Sequence, residues 1–205
     1  MSNKIYFSKF LVTDQVFFKT KYNYALVNLK PILAGHVLVV PLKNTAISLS
    51  QLTPVETQDH FNTVQLVQQF IKWVYTADAM NIAIQDGPEA GQSVPHLHTH
   101  IIPRYRVNNI GDEIYERIDQ WDWQEHRAEY LNNGGRAARK KSMEDGVPGT
   151  GQTQPHSERE LKPDNCRTAR TQEEMAVECK MLKDKLKEYL EEFPHMRQWI
   201  LEAEK

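Results

Sequence analysis

Three histidines, His96, His98 and His100, stand at alternate positions in the run Gly91-Gln92-Ser93-Val94-Pro95-His96-Leu97-His98-Thr99-His100-Ile101-Ile102. On a β-strand, residues two apart share a face. The spacing therefore predicts three imidazoles in a row on one side, with Leu97, Thr99 and Ile101 packing on a core from the other. Imidazole titrates near neutral pH and serves as nucleophile, acid, base or metal ligand. Three neighbouring groups that repel once protonated call for a chemical explanation. One is a metal site, since imidazole suits zinc, copper and iron. The other is nucleophilic catalysis, with one histidine attacking and its neighbours orienting it. A half-buried polar strand with satisfied histidines is the bland alternative.

The residues just upstream favour the nucleophile. An apolar run from Met80 to Ile84 reads as a strand and leads into Gln85-Asp86-Gly87-Pro88-Glu89-Ala90-Gly91-Gln92-Ser93-Val94. Asp86-Gly87-Pro88 is turn chemistry, and Gly91 allows close backbone approach. Gln92 and Ser93 offer side-chain donors, and successive backbone N–H groups in such a turn can form an anion-binding concavity. A donor-rich loop entering a histidine strand looks like a phosphate cradle beside a nucleophile. No Cys, Asp or Glu stands at ligand spacing within the strand, so no protein metal cage is expected.

These residues resemble a known family. His96-Leu97-His98-Thr99-His100-Ile101-Ile102 is similar to the signature of the histidine triad superfamily, and the string from Gln85 to Val94 resembles its fragile histidine triad branch, the dinucleoside triphosphate hydrolases. The sister branch of nucleoside phosphoramidases carries Asn-Glu-Gly where this chain has Gln85-Asp86-Gly87, and ends in a Trp-Pro-Pro-Gly segment absent here. Ala25-Leu26-Val27-Asn28-Leu29-Lys30-Pro31 and Gly35-His36-Val37-Leu38-Val39 match the hydrolase branch too. The likeness runs over residues 5 to 120 and again near 171 to 190.

The resemblance implies a set of roles. His98 would attack the α-phosphorus of a bound dinucleotide and form an adenylyl-histidine, which water then opens. His100 would contact the phosphate or bridging oxygen and help the leaving group depart. His96 and His36 would orient these two. Asn28 would hydrogen-bond the ribose, and Gln85 would reach the phosphates or leaving group. Gly91, Gln92, Ser93 and Val94 would lie along the phosphates. Phe7 and Leu38 would line an adenine slot. Phe10 departs from relatives that carry histidine near the base. Tyr115 matches a tyrosine phosphorylated in some members. The expected reaction is hydrolysis of diadenosine triphosphate and related dinucleoside polyphosphates to AMP plus ADP. A divalent cation, Mg2+ or Mn2+, would act through substrate phosphates. The family pairs two subunits into one continuous sheet, so a homodimer is expected. A phosphoramidase, a dinucleotide sensor with slow turnover and, more distantly, a metalloenzyme stay as alternatives.

These groups need elements to hold them. Val16 to Lys19 and Tyr24 to Asn28 read as a hairpin, and His36 to Leu42 as an apolar strand. Thr53-Pro54-Val55-Glu56 is a capping-box start for a helix to about Thr76. Its buried stripe is read as Phe61, Val64, Val67, Phe70, Ile71 and Val74. Strands are expected over Asn81 to Gln85 and Val94 to Ile102, with Pro103 ending the second. The fold class is α+β: a histidine-triad-like antiparallel sheet, one main helix and a C-terminal helix.

The 205 residues divide into a catalytic domain over 1–130, a linker over 131–168 and a C-terminal helical segment over 169–205 that packs on the domain. The linker is poor in large apolar residues and is expected to be disordered. It contains the basic cluster Gly134-Gly135-Arg136-Ala137-Ala138-Arg139-Lys140-Lys141, read chiefly as a solvated segment, with nuclear localisation as the sharper option. Thr171-Gln172-Glu173-Glu174 is a second capping box, followed by Met175, Val177, Cys179, Met181, Leu182, Leu186, Tyr189 and Leu190 at irregular helical spacing. Before the linker, Trp121, Trp123 and Tyr130 are read as anchors of a surface segment. A net charge of −2 gives no field favouring nucleic acid or membrane. No apolar run approaches the ~20 residues that span a bilayer. Two cysteines, Cys166 and Cys179, make no disulfide framework, so a cytoplasmic location is expected, with the nucleus in addition if the basic cluster acts.

Overall fold

The computed structural model describes residues 4–106 and 169–201. The expected linker, its basic cluster, Tyr115, Trp121, Trp123, Tyr130 and Cys166 lie outside the described residues.

An N-terminal hairpin pairs β1 (Tyr6–Phe7) with β2 (Phe10–Leu11). The main sheet contains β3 (Val16–Lys19), β4 (Asn23–Val27), β5 (Val37–Pro41), β6 (Ala79–Ile84) and β7 (Thr99–Arg104). Their order is β3-β4-β5-β7-β6, and every pairing is antiparallel. Between β5 and β6 runs α1 (Pro54–Val74), whose start carries the predicted capping box of Thr53 and Glu56 with Pro54 in the first turn. The C-terminal helix α2 (Gln172–Glu192) begins at the Thr171–Glu174 capping box.

Cross-strand register sorts the residues onto two faces. Leu26 opposes Leu38, and Leu38 opposes His100, so these share one face. The hairpin covers it, and Phe7, Val12, Val16, Tyr24, Leu26, Leu38, Val40 and Val94 form one buried cluster. On the other face Ala25, Val37, Val39 and Ile101 meet Val64, Leu66, Val67, Phe70 and Ile71 of α1. Met175, Cys179, Leu182, Leu186, Tyr189 and Leu190 of α2 enter that same core.

Several boundaries differ from the expectation. The expected strand from Val94 starts at Thr99, so His96 and His98 precede it and only His100 lies in it, and His36 likewise just precedes β5. Pro95 has no N–H to give, the His96 N–H turns back to the Val94 carbonyl at 2.8 Å, and the Leu97 N–H bonds Ala46 at 2.7 Å. Alternation nevertheless holds across this segment, since Leu97, Thr99 and Ile101 are fully buried. Pro103 does not end the strand but pairs with Met80 inside it. Beyond Ile101, β7 has β6 alone as its partner, a half-open place where proline is tolerated. The helix stops at Val74 and caps at Tyr75.

On α1, Phe61 is 44% exposed and His60 is fully buried in its stead. On α2, Val177 is 71% exposed. His60 anchors a polar network under the sheet. The Asn23 amide nitrogen bonds Asp59 Oδ2 at 2.7 Å, which leaves its oxygen to accept from His60 Nδ1 at 2.8 Å. His60 Nε2 then accepts from the Thr99 hydroxyl at 2.8 Å. Helix α1 therefore grips β7 at the residue between His98 and His100.

Leu182→Ala should destabilise the protein by about 2–5 kcal/mol in urea unfolding, the range for a cavity in a packed core. A change under about 0.5 kcal/mol, typical of surface positions, would contradict a core shared between α2 and the sheet.

Candidate active site

Four imidazoles converge on the sheet face covered by the N-terminal hairpin. Ring centroids of His98 and His100 are 4.9 Å apart, and those of His36 and His100 are 5.2 Å apart. Phe7 of β1 lies 5.6 Å from His96 and 5.3 Å from His98, edge-on to the latter.

Hydrogen bonding assigns the tautomers. A carbonyl oxygen only accepts. The Pro41 carbonyl is 2.9 Å from His96 Nε2, so that nitrogen carries the proton. Nδ1 of His96 then accepts the Ser8 N–H at 3.0 Å. Ser8 has φ 53°, uncommon for a residue with a side chain, at the turn of the hairpin. With both nitrogens engaged by backbone, His96 has none to offer a substrate. Its own carbonyl accepts from His98 Nδ1 at 2.8 Å. That bond leaves His98 with a lone pair on Nε2, which no group among the described residues engages.

A second relay starts at the Ile32 N–H, which donates to His36 Nδ1 at 3.1 Å. His36 Nε2 must then carry its proton, donated to His100 Nδ1 at 3.0 Å. His100 in turn holds its own proton on Nε2. The Asn28 amide oxygen accepts from the Lys30 N–H at 3.2 Å, and its nitrogen lies 3.4 and 3.2 Å from the two nitrogens of His36. Gly35, just before His36, has φ +82°, and a Cβ there would come within 2.6 Å of the Tyr75 ring. Only glycine fits that turn.

Burial favours the neutral form of His96, His98 and His60. It pushes His96 down to about 4, helped by the charge that His98 would carry. Burial lowers His98 as well, against the opposing bond to the His96 carbonyl. His60 beneath the sheet is likewise lowered to about 4 by burial.

The loop before the histidines differs in part from the expected cradle. Gly91 is left-handed (φ 84°) and closes the short turn Pro88–Ala90. Its N–H is used by the Pro88 carbonyl at 3.0 Å, and the Gln92 N–H by Gly87 at 3.1 Å. Those two amides are spent inside the turn. The amides of Ser93 and Val94 make no hydrogen bond among the described residues. Gln92 is fully buried, with its amide nitrogen on the Ile47 carbonyl at 2.8 Å and its Oε1 without a partner. Gln85 is buried at the end of β6 with an unpartnered Nε2. Unsatisfied buried amides of this kind are costly unless a ligand completes them.

Beside the histidines lies a cavity of about 370 Å³ bounded by Phe7, Phe10, Leu26, Leu38 and Val94, with Asn28 at its margin. Sequence reasoning therefore brought together His36, His96, His98, His100, Asn28, Phe7, Leu38 and Val94. It missed His60, Asn23 and Asp59. A polar His60 and Thr63 in the helical register of Val64 and Val67 was the signal that could have found them. Among the described residues, no three His, Cys, Asp or Glu side chains are grouped to hold a metal ion.

Comparison with known proteins places this geometry. The family model of the HIT domain matches residues 10–107. A bis(5'-adenosyl)-triphosphatase of Saccharomyces cerevisiae (strain ATCC 204508 / S288c) is 54% identical over 207 residues, covering 98% of this chain and 100% of that protein. A bis(5'-nucleosyl)-tetraphosphatase [asymmetrical] of Schizosaccharomyces pombe is 43% identical over 185 residues, covering 89% of this chain and 94% of its own. The crystal structure of Plasmodium falciparum diadenosine triphosphate hydrolase in complex with Cyclomarin A superposes with a TM-score of 0.50 at 33% identity, over 66% of this chain and 88% of that one.

The neutral histidines predict a pH dependence. His60 and His96 hold values near 4 in the fold against an ordinary 6.5. The unfolded chain binds protons first, so their contribution is complete above pH 6.5 and is lost as pH falls towards 4. Each is worth up to about 3 kcal/mol across that window. Urea unfolding at pH 7 and pH 4.5 should show the fall, and His60→Gln should remove its share of the slope. A slope that His60→Gln leaves unchanged would rule out its contribution.

Proposed function

The chain belongs to the histidine triad family, and from that premise we propose that it hydrolyses diadenosine triphosphate to AMP and ADP through an adenylyl group carried on His98. At the coarser level it is a bis(5'-adenosyl)-triphosphatase-like nucleotide hydrolase that acts on dinucleoside polyphosphates. The observation that carries the finer reading is the 2.8 Å bond from His98 Nδ1 to the His96 carbonyl. It turns a buried imidazole into a nucleophile with its lone pair on Nε2.

In this mechanism the Nε2 lone pair attacks the α-phosphorus, an N–P bond forms, and the bond to the bridging oxygen breaks. ADP leaves with the electron pair of that oxygen. The Nε2–H of His100 stabilises the oxygen as charge develops and can pass it a proton. Water then attacks the same phosphorus, the N–P bond breaks, and AMP is released with His98 neutral again. Dividing one displacement into two is the usual logic of covalent catalysis. His96 and His36 act as positioning residues through the bonds described above. Gln85 and Gln92 complete their buried amides on the phosphates or ribose. The amides of Ser93 and Val94 bind phosphate oxygens, and the adenine lies between Phe7 and Leu38. Asn28 reaches the ribose from the cavity margin. A divalent cation, Mg2+ or Mn2+, would be held by the substrate phosphates and would offset their charge.

The protein is also read as a homodimer. Strand β6 is an open edge of the sheet, and its Ile82 is 50% exposed. Pairing with a second copy would cover that edge. Among the described residues no helix is long and apolar enough to cross a membrane. A cytoplasmic location, extended to the nucleus if the cluster at 134–141 acts, accompanies this reading.

The name of the S. pombe relative supports a second substrate, a dinucleoside tetraphosphate, which the same attack would cut to AMP and ATP. Purified protein with Mg2+ should release equal AMP and ADP from diadenosine triphosphate, separated by anion exchange, with a higher kcat/KM than on the tetraphosphate. His98→Ala should lose at least ~10³-fold in kcat, as expected for a removed nucleophile. Turnover of an adenosine phosphoramidate alone would move the chain to the sister branch, and dinucleotide binding without turnover would make it a sensor.

A further inference from the structure

We infer that the start of α2 forms one wall of the nucleotide slot, and that Gln172, together with Gln15, hydrogen-bonds the edge of the bound base. This rests on the reading of the cavity as the nucleotide slot.

The cavity of about 370 Å³ is within the range of small-molecule sites. Phe7, Phe10, Leu26, Leu38 and Val94 make its surface largely apolar and offer flat faces to a purine. Apolar walls hold a base but do not tell one from another. That task falls to the few polar groups on the lining: Gln15, Asn28, Lys30 and Gln172. Asn28 is the residue assigned to the ribose above, and it is steadied there by the Lys30 N–H on its oxygen and by His36 beside its nitrogen. The side chains of Gln15 and Gln172 make no hydrogen bond among the described residues. Each amide carries donors and an acceptor. The hydrogen-bonding edge of a purine requires the same mixture.

The backbone that carries Gln172 is held in place by the residue two positions before it. Two residues earlier, the Arg170 N–H bonds the Leu29 carbonyl at 3.0 Å, and Arg170 Nε bonds the Asn28 carbonyl at 3.0 Å. A second guanidinium nitrogen also reaches Asn28, and the third pairs with Glu178. Glu178 in turn accepts from the Tyr75 hydroxyl at 2.7 Å. Arg170 and Glu178 are only 20% and 15% exposed, so the pair is held within the fold. The helix start is thus stapled to residues 28 and 29, which line the same cavity. A recognition group mounted this way needs little reordering when a ligand arrives. Leucine at 172 would remove the hydrogen bond. Glutamate would only accept, which suits the two adjacent N–H donors of guanine better than the mixed edge of adenine.

Calorimetric titration of AMP and GMP into wild type, Gln172→Leu and Gln172→Glu tests this without relying on turnover. Gln172 is exposed in the first turn of α2, so both variants should fold, as circular dichroism would verify. Gln172→Leu should weaken AMP about 5- to 10-fold, the usual weight of one hydrogen bond. Gln172→Glu should shift the GMP/AMP affinity ratio towards GMP by a similar factor, because any added repulsion of phosphate is common to both. Unchanged AMP affinity in the leucine variant, with an unchanged ratio in the glutamate variant, would overturn the inference. Failure of wild type to hydrolyse any dinucleotide while these shifts are seen would sink the hydrolase reading and leave the wall intact.

Discussion

A neutral imidazole has one N–H and one lone pair, and the carbonyl of His96 decides which nitrogen of His98 has which. The bond is 2.8 Å long and lies within a segment of three residues, so it survives only if that segment is held. His96 is therefore the first constraint on the site. Its ring spans from the Ser8 amide in the N-terminal hairpin to the Pro41 carbonyl at the end of β5. It is a strut whose own carbonyl is aimed at Nδ1 of His98. The Ser8 donor ties the hairpin to His96, and the neighbouring Phe7 is both a wall of the cavity and a ring against His98.

The second constraint comes from beneath. Histidines buried in a sheet cost free energy if charged and if left unpaired. The fold meets both demands by giving each ring a defined partner and by holding it neutral. On the helix side, Asp59, Asn23 and His60 end at the Thr99 hydroxyl, which lies between His98 and His100. On the slot side, Ile32, His36 and His100 form a parallel relay. Position 36 is set by Gly35 packed under Tyr75, and Tyr75 reaches Glu178 of α2. The C-terminal helix is thus joined to the relay by polar contacts as well as by Met175, Leu182 and their neighbours in the core.

Much of this was legible in the chain. Alternation over Leu97 to Ile101 gave the two faces, since period two survives in an extended segment whether or not a ladder forms. Both capping boxes appear where Thr53 and Thr171 announce them, because the signal is local and reciprocal. The strand start was not legible. An imidazole and a proline displaced the ladder at positions 95 and 96, and the carbonyl that His96 takes lies 55 residues away. Phe61 was read as core because hydrophobicity outweighed phase, whereas the partners that make a buried His60 affordable sit on β4 and β7. The turn at Gly91 and Gln92 supplies fewer free amides than its composition implies, since i to i+3 and longer bonds consume them. The staple of Arg170 to Asn28, 142 residues apart, leaves no local trace at all.

The central claim is a protonation pattern, and nitrogen-15 NMR of the histidine rings reads it directly. Long-range correlation spectra of the protein at pH 7 should show His98 neutral with its proton on Nδ1. His96 and His100 should be neutral with the proton on Nε2. A proton on Nε2 of His98, or an imidazolium there at neutral pH, would contradict the account, because the nitrogen assigned to attack would then have no lone pair to give.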